Sequence, residues 1–229
     1  LRKLGLSIFL IHGGGSKISK KLDDLNIKSN FINGLRITDD KIIDIVEDIL
    51  VQFNKEIVNA LKDGSCQARG ITTKEYNIIT VKPENNELGF VGTPTHIKIS
   101  VLKEIVKANE VPVIAPLGLD KDSQTFNINA DTAAGAIAKE LKVRRLLILS
   151  DVEGVLNKEK KLIPEINSDQ AKQMILDGAI SGGMIPKIEN CLDVAKNGVK
   201  AVCIIDGRKN HSVLFELLSD KGSGTLIRK

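Results

Sequence analysis

The chain has 229 residues, 42% of them hydrophobic, which supplies a proper core for one large α/β domain or two lobes and excludes a disordered chain. Its 33 Lys+Arg against 29 Asp+Glu leave a formal charge of +4, spread along the chain instead of gathered into runs, and only 3% of residues are aromatic, with no Trp. A nucleic-acid partner is therefore not expected, since both the basic stripe and the base-stacking platform are missing. Cys66, Cys191 and Cys203 lie far apart with no Cys-x-x-Cys, and His12, His96 and His211 lack metal-ligand spacing, so neither a disulfide framework nor a protein-held metal is expected and a reducing compartment is.

In chain order, Leu1-Arg2-Lys3 followed by Leu4 to Ile11 imitates a secretory signal. The apolar stretch is short, contains Gly5 and Ser7, and runs into His12-Gly13-Gly14-Gly15 with no small-residue cleavage site, so it reads as a helix end and a buried strand at Ser7–Ile11. No stretch approaches the apolar length of a membrane span, and no membrane partner is expected. A helix is predicted over Lys17–Leu25. Asp39 after Thr38 precedes apolar Ile42, Ile43, Val46, Ile49 and Leu50, which predicts a capped, amphipathic helix over Asp39–Leu61. Gly64 to Gly89, with the turn-rich Lys82-Pro83-Glu84-Asn85-Asn86, reads as a β-hairpin excursion that includes a strand at Ile78–Val81. Further helices are predicted over Thr95–Asn109, Ala130–Leu141, Ser168–Asp177 and Met184–Asn197, the last stopped by Gly198, and further strands at Val111–Ala115, Leu146–Ser150 and Val199–Ile205. Short aliphatic runs alternating with amphipathic stretches predict an α/β fold: a mostly parallel central sheet covered on both faces, a three-layer α/β/α sandwich. A lobe boundary is expected near Lys142–Arg145, giving lobes 1–143 and 144–229 with no Pro/Gly/Ser linker.

Four segments carry candidate chemistry. His12-Gly13-Gly14-Gly15-Ser16 follows an apolar strand and precedes a helix, where glycine N–H groups can converge on an anion; an ordinary tight turn is the alternative. It is neither a Walker A loop, since no Gly-Lys dipeptide occurs, nor a Rossmann fingerprint, since Ile18 stands where a glycine is needed. Asn127-Ile128-Asn129-Ala130-Asp131 sets three small polar side chains at the start of an Ala-rich helix, which is more than one N-cap requires. Leu149-Ser150-Asp151-Val152-Glu153-Gly154-Val155-Leu156 is a strand running into a polar turn, where open α/β sheets bind ligands. Ser181-Gly182-Gly183-Met184-Ile185-Pro186-Lys187 puts a lysine in the first turn of a helix, within reach of a phosphate or simply solvated.

In this order, and together with Asn33-Gly34-Leu35-Arg36-Ile37-Thr38-Asp39, Leu88-Gly89-Phe90-Val91-Gly92 and Pro112-Val113-Ile114-Ala115-Pro116, these segments resemble the acetylglutamate kinase branch of the amino-acid kinase family over almost the whole chain. The resemblance implies phosphoryl transfer from ATP, with nucleotide-borne Mg²⁺, to the carboxylate of N-acetyl-L-glutamate, in arginine biosynthesis. It implies that the N-terminal lobe binds N-acetylglutamate and dimerises, with Gly13, Gly14, Arg36, Asn127 and Asn129 on the substrate. Asp151, Val152, Glu153, Gly154, Val155, Leu156, Ala179, Ile180 and Ser181 would line the ATP site of the C-terminal lobe. Lys187 would stabilise the transferring group, and Asp131 would organise the catalytic lysines. A planar Arg36 fork suits a carboxylate in a way that a lysine does not. A carboxylate nucleophile with a pKa near ~4.3 is already ionised, so the absence of a catalytic His or a Ser-His-Asp set accords with this chemistry.

The family also has a Lys-x-Gly-Gly strand and turn ahead of the His-Gly-Gly-Gly segment. Leu1 leaves no room for it, so a truncated or impaired form is expected, and Gly70 to Lys74 lacks the family's usual Ser-Gly pair. His211 to Glu216 and Gly222 to Thr225 are similar to the arginine-inhibited branch, implying arginine as an effector near His211, Glu216 and Gly224. A homodimer or higher homo-oligomer, in a bacterial cytoplasm or a plastid, is the accompanying expectation. Carbamate, aspartate and uridylate kinases are the alternatives within the superfamily, set apart by Arg36 in Gly-Leu-Arg. Outside it stands a non-catalytic arginine-sensing module, and more distantly a nucleotide-dependent oxidoreductase, whose glycine spacing is missing.

Overall fold

The first apolar run pairs over only two residues. A 3-10 turn at Arg2–Leu4 precedes β1 (Leu10–Ile11), which is half-buried and parallel to Val113–Ile114. The Gly-rich turn then opens α1 (Gly15–Asp24). β2 (Phe31–Ile32) and β3 (Leu35–Arg36) form a hairpin whose central residues, Asn33 and Gly34, have φ of 49° and 82°. This mirror-image turn suits the twist of paired strands and selects Asn-Gly. Asp39 caps α2 (Asp40–Asp63), its Oδ1 accepting from the Lys41 and Ile42 N–H groups at 3.0 Å each. After it come β4 (Ala68–Ile71), β5 (Ile79–Pro83), β6 (Gly92–Ile97), α3 (Ile99–Lys107), β7 (Val111–Ile114), β8 (Leu117–Leu119), β9 (Thr125–Asn127) and α4 (Ala130–Leu141).

The computed structural model describes residues 1–229 and divides between Ala133 and Ala134 into two compact units. In the first, β7 lies between β1 and β4, all parallel. Every residue of β7 is buried, as a strand covered on both faces requires. Val58 of α2 packs with Ala68, Val111 and Val113, while α3 buries Leu102 and Ile105 and also packs on β7. A second sheet, in the order β6-β5-β8-β9, carries the chain into α4.

The second unit contains β10 (Arg145–Ser150), β11 (Glu165–Ile166), α5 (Ser168–Leu176), α6 (Met184–Lys196), β12 (Ala201–Asp206), α7 (Ser212–Leu218) and β13 (Gly224–Ile227). Its sheet runs β10-β12-β13-β11, parallel except where β12 meets β13. Val202 to Asp206 are all buried, with α6 and α7 packed on β12.

The α/β class, the parallel sheets and the helical layers are as predicted, with local corrections. Thr95, His96 and Ile97 belong to β6, and α3 starts only at Ile99. Thr and Pro can open a helix, but here pairing to β5 prevails, with His96 opposite Thr80 and Ile97 opposite Ile79. The excursion after Gly64 splits: β4 joins the parallel sheet, and the hairpin is β5 with β6. The short elements β2, β3, β8, β11, β13 and α7 escaped prediction, having too few residues to display a period.

Candidate active site

The Gly-rich turn is shaped by what packs beneath it. Gly14 forms the N-cap of α1 with no side-chain cap, and a Cβ there would meet Leu50 Cδ2 of α2 at 2.5 Å, so the turn sits tightly on α2. Against the first turn of α1 lies Arg36, 7% exposed. Its Nη2 donates to Gly15 O at 3.2 Å and Ser19 Oγ at 2.9 Å, its Nη1 donates to Ser29 Oγ, and its guanidinium stacks on the Phe31 ring at 4.6 Å. Burial draws the Arg36 pKa down and Asp23 raises it, yet no carboxylate forms an ion pair with it. An arginine remains charged under such shifts. A buried cation held by three neutral acceptors is thus electrostatically unsatisfied, and an added carboxylate would complete it.

Asn127 belongs to the same neighbourhood. Its Nδ2 donates to Thr38 Oγ1 at 3.3 Å, and Thr38 Oγ1 donates to Arg36 O at 3.0 Å. Gly89 and Val91 bridge to Thr38 and Asn127, which ties the Leu-Gly-Phe-Val-Gly segment to this region. Asn129 serves as a cap: its Oδ1 accepts from the Asp131 N–H at 3.0 Å and the Thr132 N–H at 3.1 Å. Asp131 lies half-buried in the first turn of α4. Sequence reading missed Ser19 on α1, Ser29 in the loop after it and Phe31 on β2, all around Arg36; their only signal was polar or aromatic character.

In the second unit, β10 leads into Asp151 and Glu153, both exposed, and then into the buried Gly154 and Val155. Gly154 has φ 146°, and a Cβ there would meet Thr225 Oγ1 at 2.6 Å; that hydroxyl accepts from the Val155 N–H at 2.8 Å and donates to Ile163 O at 2.6 Å. Val152 and Leu156 are half-buried. Ile180 is buried between half-buried Ala179 and exposed Ser181, and Lys158 Nζ and Asp177 Oδ2, 3.8 Å apart, join the flanks of the two segments. Gly183 caps α6 with backbone alone, and Lys187 lies half-buried in its first turn.

Asp206, at the exit of β12 beside the Ser150 turn, takes two hydrogen bonds from the Arg208 guanidinium, at 2.9 and 3.0 Å, and one from the Arg208 N–H. These hold its carboxyl down to about 2 from an ordinary 3.8. A carboxyl lowered by folding adds stability above its unfolded pKa and loses it as pH falls through the folded one. Between about pH 4 and pH 2, the fall in urea midpoint is therefore expected to be shallower in Asp206→Asn than in the parent. Equal slopes would show that the pair adds nothing.

Of the three residues expected near an effector, His211 is exposed at φ 63°, and Gly224 is half-buried in β13. Glu216 is buried and already partnered. Its Oε2 accepts from the Ser223 N–H at 2.8 Å, its Oε1 accepts from the Cys203 thiol at 3.1 Å, and Arg145 Nη1 lies 3.8 Å away. Burial and then Glu216 push the Cys203 thiol far up, which keeps it protonated. No group of three or more His, Cys, Asp or Glu side chains converges as a metal cage. No helix is long and apolar enough to cross a membrane.

Residues 1–206 match the amino acid kinase family. The chain is 70% identical to the acetylglutamate kinase of Pelagibacter ubique over 229 residues, covering all of this chain and 80% of the relative. It is 45% identical to the acetylglutamate kinase of Methylobacterium nodulans over 243 aligned positions, again covering all of this chain and 80% of the relative. Among solved structures, smu.665 from Streptococcus mutans superposes with a TM-score of 0.88 at 29% identity, over 99% of this chain and 87% of that one. Carbamate kinase from Giardia lamblia, bound to AMP-PNP, superposes at 0.72 and 15% identity over 100% of this chain and 86% of that one, a likeness of fold alone.

Proposed function

We propose that this chain, which belongs to the amino acid kinase family, transfers the γ-phosphoryl group of ATP to the side-chain carboxylate of N-acetyl-L-glutamate, releasing ADP and N-acetyl-L-glutamyl 5-phosphate. The observation that carries the reading is Arg36, buried beside the Gly-rich turn with neutral acceptors and no carboxylate of its own. An acyl-amino acid brings the missing carboxylate, which the planar fork can take bidentately.

The nucleophile is ionised at neutral pH and needs no base; in-line placement and positive charge around the phosphoryl oxygens supply the acceleration. In this reading the Gly13 and Gly14 amides, Arg36 and Asn127 hold the acceptor. Asn129 shapes the same region from its position as the α4 cap. The turn from Asp151 to Leu156 and the segment from Ala179 to Ser181 receive ATP. Lys187 meets the charge that builds on the transferring group, and Asp131 is the carboxylate that organises the catalytic lysines. Mg²⁺ travels with the nucleotide phosphates, where it neutralises charge. In this reading residues 1–143 form the acceptor-binding and dimerising lobe and residues 144–229 the nucleotide-binding lobe of a cytoplasmic homo-oligomer serving arginine biosynthesis, with free arginine as its inhibitor.

The test is ADP release with Mg-ATP against a panel of N-acetyl-L-glutamate, L-glutamate, L-aspartate, carbamate and UMP, using this chain and a form extended by a Lys-x-Gly-Gly strand and turn. Turnover is expected with N-acetylglutamate alone, lowered when arginine is added. Faster turnover of another acceptor would replace the substrate assignment. Indifference to arginine in an active form would remove the inhibitor.

A further inference from the structure

The core stripe of α2 runs at four-residue spacing through Ile42, Val46, Leu50 and Val58, and at Asn54 it is interrupted by an amide that is 1% exposed. A buried amide left unpartnered is costly, so its contacts explain why the stripe can break there. Asn54 Nδ2 donates to Val113 O at 2.9 Å and lies 3.1 Å from His12 Nε2, while His12 Nδ1 lies 2.8 Å from Gly13 O. His12 is 6% exposed and meets the Phe53 ring edge-on at 5.3 Å.

Both ends of this connection are backbone carbonyls, which only accept, and this places every proton in it. The Asn54 group at Val113 O must be the NH₂. The same NH₂ faces Nε2, so Nε2 accepts and is bare. The ring proton sits on Nδ1 and is donated to Gly13 O. Burial lowers the His12 pKa, which favours this neutral ring. Gly13 C=O shares one planar trans peptide with the Gly14 N–H, so holding the carbonyl toward His12 turns the N–H to the opposite side. That N–H has no hydrogen-bond partner within the chain. A Cβ on Gly70 would collide with Asn54 Oδ1, so β4 leaves this space to the amide.

We infer that Asn54 and His12 are positioning residues for the acceptor: a relay from the Val113 carbonyl to the Gly13 carbonyl fixes the Gly13–Gly14 peptide plane and aims the Gly14 N–H at the acceptor's anionic group. The inference rests on the reading that this turn binds N-acetylglutamate. Neither residue touches the ligand; both act through the Gly14 amide.

The experiment combines calorimetric binding of N-acetylglutamate, separate KM values for acceptor and ATP in the active form, and ¹⁵N NMR of the His12 ring. His12→Phe keeps a ring against Phe53 but has no donor, Asn54→Leu keeps the volume without the amide, and His12→Asn retains a donor near the Nδ1 position. His12→Phe and Asn54→Leu are expected to weaken acceptor binding about tenfold, with KM for ATP unmoved. His12→Asn is expected to stay within about threefold of the parent, and the parent ring to show the Nδ1–H tautomer. An Nε2–H tautomer in the parent would overturn the relay. So would unchanged acceptor affinity in folded His12→Phe, or equal losses for acceptor and ATP that track a fall in melting temperature. If the parent binds no N-acetylglutamate at all, the substrate assignment fails, while the tautomer and the shift of the Gly14 amide resonance in Asn54→Leu still decide the relay.

Discussion

Lys187→Ala is expected to lower kcat on the order of 10²- to 10³-fold, the loss seen when one preorganised donor to developing charge is removed. Lys187 stands in the first turn of α6 behind Gly182 and Gly183, half-buried, with the backbone-capped helix start beside it. In this setting a lysine contributes most when charge accumulates on the phosphoryl oxygens, so the loss should fall on kcat far more than on KM for either substrate. Lys187→Arg keeps a cation but not the compact ammonium, and an intermediate rate is expected. The measurement is steady-state ADP release in the active form, with melting temperatures alongside. A kcat within about threefold of the parent would remove Lys187 from the chemistry. A proportional rise in KM would make it a binding residue only.

Arg36→Ala should act on the other parameter. Truncating one member of a buried, hydrogen-bonded charge pair costs about 2–5 kcal/mol, so KM for N-acetylglutamate is expected to rise on the order of 10²-fold while KM for ATP stays near its parent value. Arg36→Lys should recover only part of this, because a lysine cannot reproduce the hydrogen bonds to Gly15 O and Ser19 Oγ while also gripping a carboxylate. The folded protein itself should tolerate the change, since Arg36 gives up no carboxylate partner. A comparable loss for both substrates, accompanied by a large drop in melting temperature, would instead make Arg36 a structural pin between the β2–β3 hairpin and α1.

The sequence by itself determined the α/β class, the family and the enzyme class, because those depend on information that is contiguous in the chain. The Asp39 cap and the stripe after it can be read from neighbours three and four residues apart, and a helical period persists over α2 whatever surrounds it. Gly-Leu-Arg and Asn-x-Asn-Ala-Asp are likewise short words. Where local signals conflicted, tertiary pairing decided. His96 and Ile97 became strand because β5 supplied partners for their backbone, with Thr95 at the register shift between the paired residues, and β8 and β9 form where a sheet receives them. Asn129 showed both a cap and a ligand in the sequence, and in the fold its Oδ1 accepts the two N–H groups at the start of α4. The His12–Asn54–Val113 connection was beyond sequence reading. Asn54 appears there as a polar break in an apolar stripe, whereas its partners stand 42 and 59 residues away and meet it only when α2 lies across β1 and β7. Hydrogen-bond direction depends on angles and distances of a few ångströms, and a linear pattern sets those only through the packing of the whole unit.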